Sequence, residues 1–119
     1  MIKIEYCPER FHIKARGHAG YGTHGNDIIC SAVSTLIETL AFCIIGYSMA
    51  LEREPTIMID EESALIEISA VPKKEYERDI SLLFWFCLCG LDALCEQFPK
   101  NVGITVLRQE DELHTDSRP

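Results

Sequence analysis

Ile2, Ile4 and Tyr6 alternate with Lys3 and Glu5 at the start of the chain, the period of a strand buried on one side. Cys7-Pro8-Glu9-Arg10 reads as a turn, because proline cannot continue a hydrogen-bonded ladder. Phe11, Ile13 and Ala15 then alternate with His12, Lys14 and Arg16, so the two segments predict an antiparallel hairpin. Beyond Asn26-Asp27 the period changes. Val33, Leu36, Ile37, Leu40, Ala41, Ile44, Ile45 and Ser48 fall at helical spacing, and Asn26 or Asp27 can cap a helix reaching about Leu51. Few charges apart from Glu38 interrupt it. Burial on more than one side is therefore expected, at the domain centre or in an oligomer interface.

Pro55 closes that region. Thr56 to Asp60 and Ala64 to Ala70 predict a second hairpin, with Asp60-Glu61-Glu62-Ser63 as its turn. Pro72-Lys73-Lys74 opens a second helix from about Lys74 to Phe98, with Tyr76, Ile80, Leu83, Phe84, Cys87, Leu91, Leu94 and Phe98 as its inner stripe. Phe84, Trp85 and Phe86 are consecutive, and a helix cannot bury three successive residues in one direction, so at least one faces outward. Val102 to Leu107 reads as a last strand. The order strand, strand, helix, strand, strand, helix, strand fits an α+β two-layer sandwich, with a mixed or antiparallel sheet and both helices on one face.

A chain of 119 residues with 47% apolar and 25% charged residues is a single globular domain by size and composition. The net charge of −8 argues against a partner that is a nucleic acid and suits one with basic segments. The run Ile80 to Leu91 is read as the most apolar, too short to cross a bilayer, and Lys3 and Glu5 break any signal-like start. A cytoplasmic location with no membrane partner is expected, and the six cysteines are then free thiols.

Chemistry concentrates between Gly17 and Cys30, a stretch with four of the seven glycines and two of the four histidines. Cys30 lies in the first turn of the predicted helix, where the macrodipole and free backbone N–H groups favour the thiolate. Set against that, most free cysteines are small core fillers. A glycine-flanked histidine nearby is not explained by core filling, so the pattern suggests a cysteine nucleophile with a histidine base. His18 and His24 both compete for that role, and the small neighbours of His18 tilt the choice toward it. Asp27 reads first as a helix cap and second as a group orienting the imidazole. Ser34, one turn beyond Cys30, projects on the same face. Backbone N–H groups around Cys30 are the expected donors to a tetrahedral oxyanion.

The other cysteines carry less. Cys87 and Cys89 point to different sides of one helix, Cys95 lies further along it, and a zinc site is a weak reading. Cys7, in a turn, and Cys43, in an apolar stripe, are read as structural. His12 is placed on the polar face of a strand and His114 in a polar tail.

Gly17-His18-Ala19, followed at this interval by Asp27-Ile28-Ile29-Cys30-Ser31-Ala32-Val33-Ser34, resembles the ribosomal-processing cysteine proteases (Prp) of Firmicutes and related bacteria. Family members carry Gly-His-Ala and Asp-Ile-Val-Cys-Ala-Gly-(Ala or Val)-Ser at the same interval. Ile29, Ser31 and Ala32 depart mildly from that pattern, and the acidic tail extends past the usual end.

The resemblance implies a protease domain over residues 1–108 with a polar tail over 109–119. It implies catalysis by Cys30 and His18, with Asp27 and Ser34 in support, and no cofactor or metal. Gly17, Ala19, Gly20, Tyr21, Gly22, His24, Gly25 and Asn26 would form the substrate loop, ordering over the substrate from Ala19 to Asn26. The implied substrate is the N-terminal extension of a large-subunit ribosomal protein, cut after an aromatic pair and before a small residue. The implied assembly is a homodimer. Phage-derived copies in the family act on phage structural proteins. Two further readings stand beside this one: a binding module without turnover that docks through exposed aromatics, and a metal site built from His18, His24 and Cys30.

Overall fold

The computed structural model describes residues 1–23 and 25–108. His24 and the expected tail over 109–119, with His114, lie outside the described residues. The chain runs β1 (Ile2–Cys7), β2 (His12–Arg16), α1 (Ile28–Gly46), β3 (Thr56–Asp60), β4 (Leu65–Ser69), α2 (Glu77–Gln97) and β5 (Val102–Val106). The five strands form one sheet in the order β3-β4-β2-β1-β5. β1 and β2 pair antiparallel, with Lys3 opposite Arg16 and Cys7 opposite His12. β5 lies parallel to β1, with Ile2 opposite Val102, and so makes the sheet mixed.

Alternation does most of the work in placing the sheet. Ile4 and Ile13 face the helices and are buried, as is Ile68 on β4. They meet Ile29, Ile37 and Ile44 of α1 and Ile80, Phe84 and Leu91 of α2 in one core. Each such side chain contributes roughly 1.5–3 kcal/mol relative to exposure. Both helices therefore lie on the same side, and Cys87 Sγ donates to the Leu36 carbonyl at 3.6 Å across their contact. On the other face the register sets Lys14 between Glu5 of β1 and Glu67 of β4. His12 lies on this same face, as expected, but is buried there, and its Nε2 lies 2.6 Å from Glu67 Oε2. An acidic neighbour on the next strand explains how a polar ring is tolerated inside.

Helix α1 ends at Gly46, not near Leu51. Tyr47 donates its N–H to the Cys43 and Ile44 carbonyls, a short 3-10 turn follows over Ser48–Ala50, and Leu51 bridges to Pro72. Ala50 and Leu51 are buried while Ser48 is exposed, so the core needs the chain to turn there. Helix α2 likewise begins at Glu77, after a 3-10 turn over Lys74–Tyr76, and it buries Leu88 beside the expected stripe.

The helix surfaces correct two further expectations. Within the chain α1 buries a single stripe, so of the two places expected for its second side only an oligomer interface is left for exposed Ile28, Phe42 and Ile45; the supposedly structural Cys43 is exposed as well. It is also the more apolar helix: its mean hydropathy reaches 2.2 over an 18-residue window, enough by composition to cross a bilayer, yet six of its residues sit in the core. On α2, Phe84 is buried while Trp85 and Phe86 face outward.

Candidate active site

Asp27 organises the site. Its backbone is extended, with φ −84° and ψ 108°, and its Oδ1 accepts the N–H groups of Ile29 and Cys30 at 3.0 Å each. That is helix capping at the expected place. The other oxygen turns the opposite way: Oδ2 accepts the N–H groups of Tyr21 at 2.9 Å and Gly22 at 3.0 Å. One buried carboxylate thus joins the loop after His18 to the helix that carries Cys30. Burial pushes the Asp27 carboxyl up, but the N–H groups of Gly22, Cys30, Tyr21 and Ile29 together outweigh it and hold the group below the usual aspartate value.

The capping bonds overturn one expectation. The Ile29 and Cys30 N–H groups are taken by Asp27, and the Ser31 N–H by the Asp27 carbonyl at 3.1 Å, so these amides are not the ones offered to an oxyanion. The donor aimed at the sulfur comes from the loop instead. Ala19 donates its N–H to Cys30 Sγ at 3.3 Å, while its methyl group is buried in the core.

The loop follows a defined path. Gly17 sits at φ 99° and gives its N–H to the Ala64 carbonyl at 2.9 Å. A Cβ on Gly17 would lie 2.7 Å from the Met1 carbonyl oxygen, so glycine is required by contact as well as by conformation. Further on, Tyr21 packs edge-on against Phe98 at the end of α2, with ring centroids 5.5 Å apart. Asn26 closes a turn through its N–H to the Thr23 carbonyl at 2.9 Å.

A cleft of about 700 Å³ opens between the N-terminal half of α1 and the β3–β4 hairpin. His18, Asp27, Cys30 and Ser34 all line it, with Gly17, Gly20, Gly22 and Gly25 at the loop side. His18 is exposed and Cys30 half-buried. Ala19 lies beneath the cleft, and Tyr21 and Asn26 stand outside its walls. The opposite wall mixes apolar Ile59, Leu65 and Ile66 with Asp60 and Glu61, and Glu38 lies two turns below Cys30. Among the described residues no lysine or arginine lines the cleft. No group of three or more metal-ligating side chains occurs among the described residues. Sequence reasoning passed over Phe98 as a seat for the loop and gave no part to Asn101, whose Nδ2 donates to the Ala19 carbonyl at 2.9 Å. Neither has a local signal, since each acts across the fold.

The family model for the cysteine protease Prp matches residues 1–103. Among solved structures, the chain is similar to the essential ribosomal processing protease Prp from S. aureus in complex with a covalently linked product peptide. The TM-score is 0.75 at 22% identity, covering 90% of this chain and 100% of that one. The same protease with a substrate peptide gives a TM-score of 0.71 at 22% identity and the same coverage. SMU.848 from Streptococcus mutans gives 0.68 at 25% identity, covering 91% of this chain and 93% of that one. No curated protein sequence matches the chain.

Proposed function

The chain belongs to the Prp family of cysteine proteases, and on that premise we propose that Cys30 is its nucleophile and His18 its general base. His18 takes the thiol proton, the sulfur attacks the scissile carbonyl carbon, and the imidazolium returns the proton to the leaving amine. Water activated by the same imidazole then hydrolyses the thioester. The observation that carries this reading is the Ala19 N–H donated to Cys30 Sγ, in a cleft that the neighbouring His18 also lines. A core-filling cysteine has no reason to be addressed by a loop amide. Asp27 supports the site by tying loop to helix, and Ser34 lies on the same helix face as Cys30, where substrate would pass.

The substrate we propose is the N-terminal extension of a large-subunit ribosomal protein in the cytoplasm, cut after an aromatic pair. The S. aureus relative is a ribosomal processing protease. The cleft supports such a peptide in two ways: Ile59, Leu65 and Ile66 offer an apolar wall, and Glu38, Asp60 and Glu61 suit a basic segment. We further propose a homodimer formed through the helix layer. Phe42 is 72% exposed and Phe86 76%, and Ile45, Leu82 and Trp85 extend the apolar surface.

The experiment is cleavage of an aromatic-pair peptide drawn from such an extension. Loss of cleavage in Cys30→Ala, Cys30→Ser and His18→Ala is expected; undiminished turnover in either cysteine variant rejects the assignment.

A further inference from the structure

Ala19 is held at three points. Its methyl group is buried at 2% exposure, its N–H reaches Cys30 Sγ at 3.3 Å, and its carbonyl accepts from Asn101 Nδ2 at 2.9 Å. Asn101 stands 82 positions further along the chain, in the turn between α2 and β5. It is itself fixed by its backbone: its N–H donates to the Phe98 carbonyl at 2.9 Å, and its carbonyl accepts from Ile2 at 2.8 Å. A side-chain amide in that place has one productive orientation, because only its nitrogen can donate to a carbonyl oxygen.

The need for such a clamp follows from the backbone on either side. Gly17 sits at φ 99° and Gly20 at φ 72°, both in the region that glycine enters at little cost. Neither glycine has a side chain that could brace the His18-Ala19 segment between them. A buried methyl group locates Ala19 but does not stop its flanking peptide planes from turning. With the methyl group seated and the carbonyl held by Asn101, rotation about φ is the one soft dihedral left to redirect the Ala19 N–H. Meanwhile the first-turn amides of α1 are committed to Asp27 and are not directed at the sulfur.

We propose that Asn101 is a positioning residue of the protease, acting through Ala19 to keep that N–H aimed at the reacting sulfur. The Ala19 amide addresses the Cys30 sulfur at rest and, held there, stands beside the oxyanion that forms once the carbonyl carbon is bonded to that sulfur. Asn101 is not among the residues that line the cleft. This assignment rests on Cys30 being the nucleophile, as proposed above, but its test does not depend on any peptide being cut.

The test is the pH profile of iodoacetamide alkylation, followed cysteine by cysteine in the folded chain by peptide mass spectrometry. Cys89 is exposed, lies outside the groove proposed for the dimer, and serves as the internal reference. Asn101→Ala removes the donor; Asn101→Asp keeps the shape and sets an acceptor against the Ala19 carbonyl. Both are expected to slow Cys30 near neutral pH by about tenfold, below the 10²–10³ typical of deleting an oxyanion donor outright. The midpoint of the Cys30 profile should move to higher pH while Cys89 changes by less than about twofold. Cys30 profiles that superimpose on the parent's in both variants overturn the proposal. A measurement on the unaltered chain guards against variants that do not fold: the Ala19 amide resonance should shift with the same pH midpoint as Cys30 alkylation. An Ala19 resonance that stays put while Cys30 titrates would sink the idea. Failure to cleave any ribosomal peptide, with both signatures present, would instead count against the proposed substrate alone.

Discussion

Asp27 Oδ1 accepts the Cys30 backbone N–H at 3.0 Å, so the residue that caps α1 also fixes the backbone of its cysteine. Through Oδ2 the same carboxylate holds the Tyr21 and Gly22 amides. The thiol and the loop that approaches it are thereby referenced to one buried group. Loop and helix are not independent parts of the site.

The two oxygens of Asp27 can be tested separately. Asn at position 27 still caps the helix through its oxygen, but its NH₂ group then faces the Tyr21 and Gly22 N–H groups as donor against donor. Asp27→Asn should lose at least tenfold in kcat/KM with helix content retained, whereas Asp27→Ala loses the cap as well, which costs about 0.5–2 kcal/mol. Circular dichroism and peptide cleavage together separate the outcomes. Equal activity in parent and Asp27→Asn would show that the loop needs no anchor here.

The same group sets an acid limit. Its carboxyl is held below the usual aspartate value in the folded chain, despite burial, by four backbone N–H groups. A depressed folded value gives stability that is present above the unfolded carboxyl pKa of about 3.9 and is lost as pH falls through the folded value. The Tm advantage of the parent over Asp27→Asn should therefore be constant near neutrality and shrink below about pH 4. An advantage unchanged down to acid denaturation would mean that the charge plays no part.

Gly17 and Gly20 should respond differently to the same substitution. At Gly17 an alanine Cβ would press on the Met1 carbonyl oxygen at 2.7 Å, at φ 99°. At Gly20, φ 72°, the added atom meets nothing within 4 Å. Gly20→Ala should cost only the left-handed conformation, about 1–2 kcal/mol. Gly17→Ala should cost more, because backbone must move, and it should displace His18 and abolish measurable cleavage. Urea unfolding of the two variants orders them, and a Gly17→Ala as stable and active as Gly20→Ala would contradict the contact.

Much of this architecture was legible because its signals are local. Period-two alternation from Ile2 to Arg16 and from Thr56 to Ser69 marks both hairpins, and the Asn26-Asp27 cap marks the start of α1. The motif from Gly17 to Ser34 carried the family, since its spacing belongs to one loop and one helix turn. What stayed hidden depends on distant partners. The polar face was legible for His12, but not its burial beside Glu67, which comes from another strand. Apolar content marked α1 for burial on more than one side, at the domain centre or in an oligomer interface, and hydropathy cannot choose between them because it reports only that a surface prefers to be covered, not that its own chain covers it. Asn101 could not be tied to Ala19 from spacing at all, because its hydrogen bond exists only once β5 has paired with β1.

The exposed helix surface carries the assembly prediction. A groove of about 250 Å³ between the helices is lined by Leu36, Leu40, Cys43, Leu83 and Phe86, and the aromatic rims stand proud of it. Phe42→Glu or Phe86→Glu places a charge where a second copy would bury apolar surface. Sedimentation equilibrium should show the parent as a dimer and the variants shifted to monomer. A parent that sediments as monomer at high micromolar concentration would dispose of the homodimer.

Cys87 should be slow to modify. Burial between the helices pushes its thiol up to about 12, and the group donates to the Leu36 carbonyl. It should stay unalkylated in the folded chain at pH 8 while exposed Cys89 reacts. The linkage has a definite sign. A thiol whose folded value lies above its unfolded value, about 8.5, binds its proton more tightly when folded. That contribution is complete below the unfolded value and falls away as pH rises toward the folded one. Parent stability should thus decline above about pH 9, more steeply than in Cys87→Ala, where the titrating group is gone. Parallel stability curves for the two proteins between pH 8 and 10 would remove Cys87 as the cause.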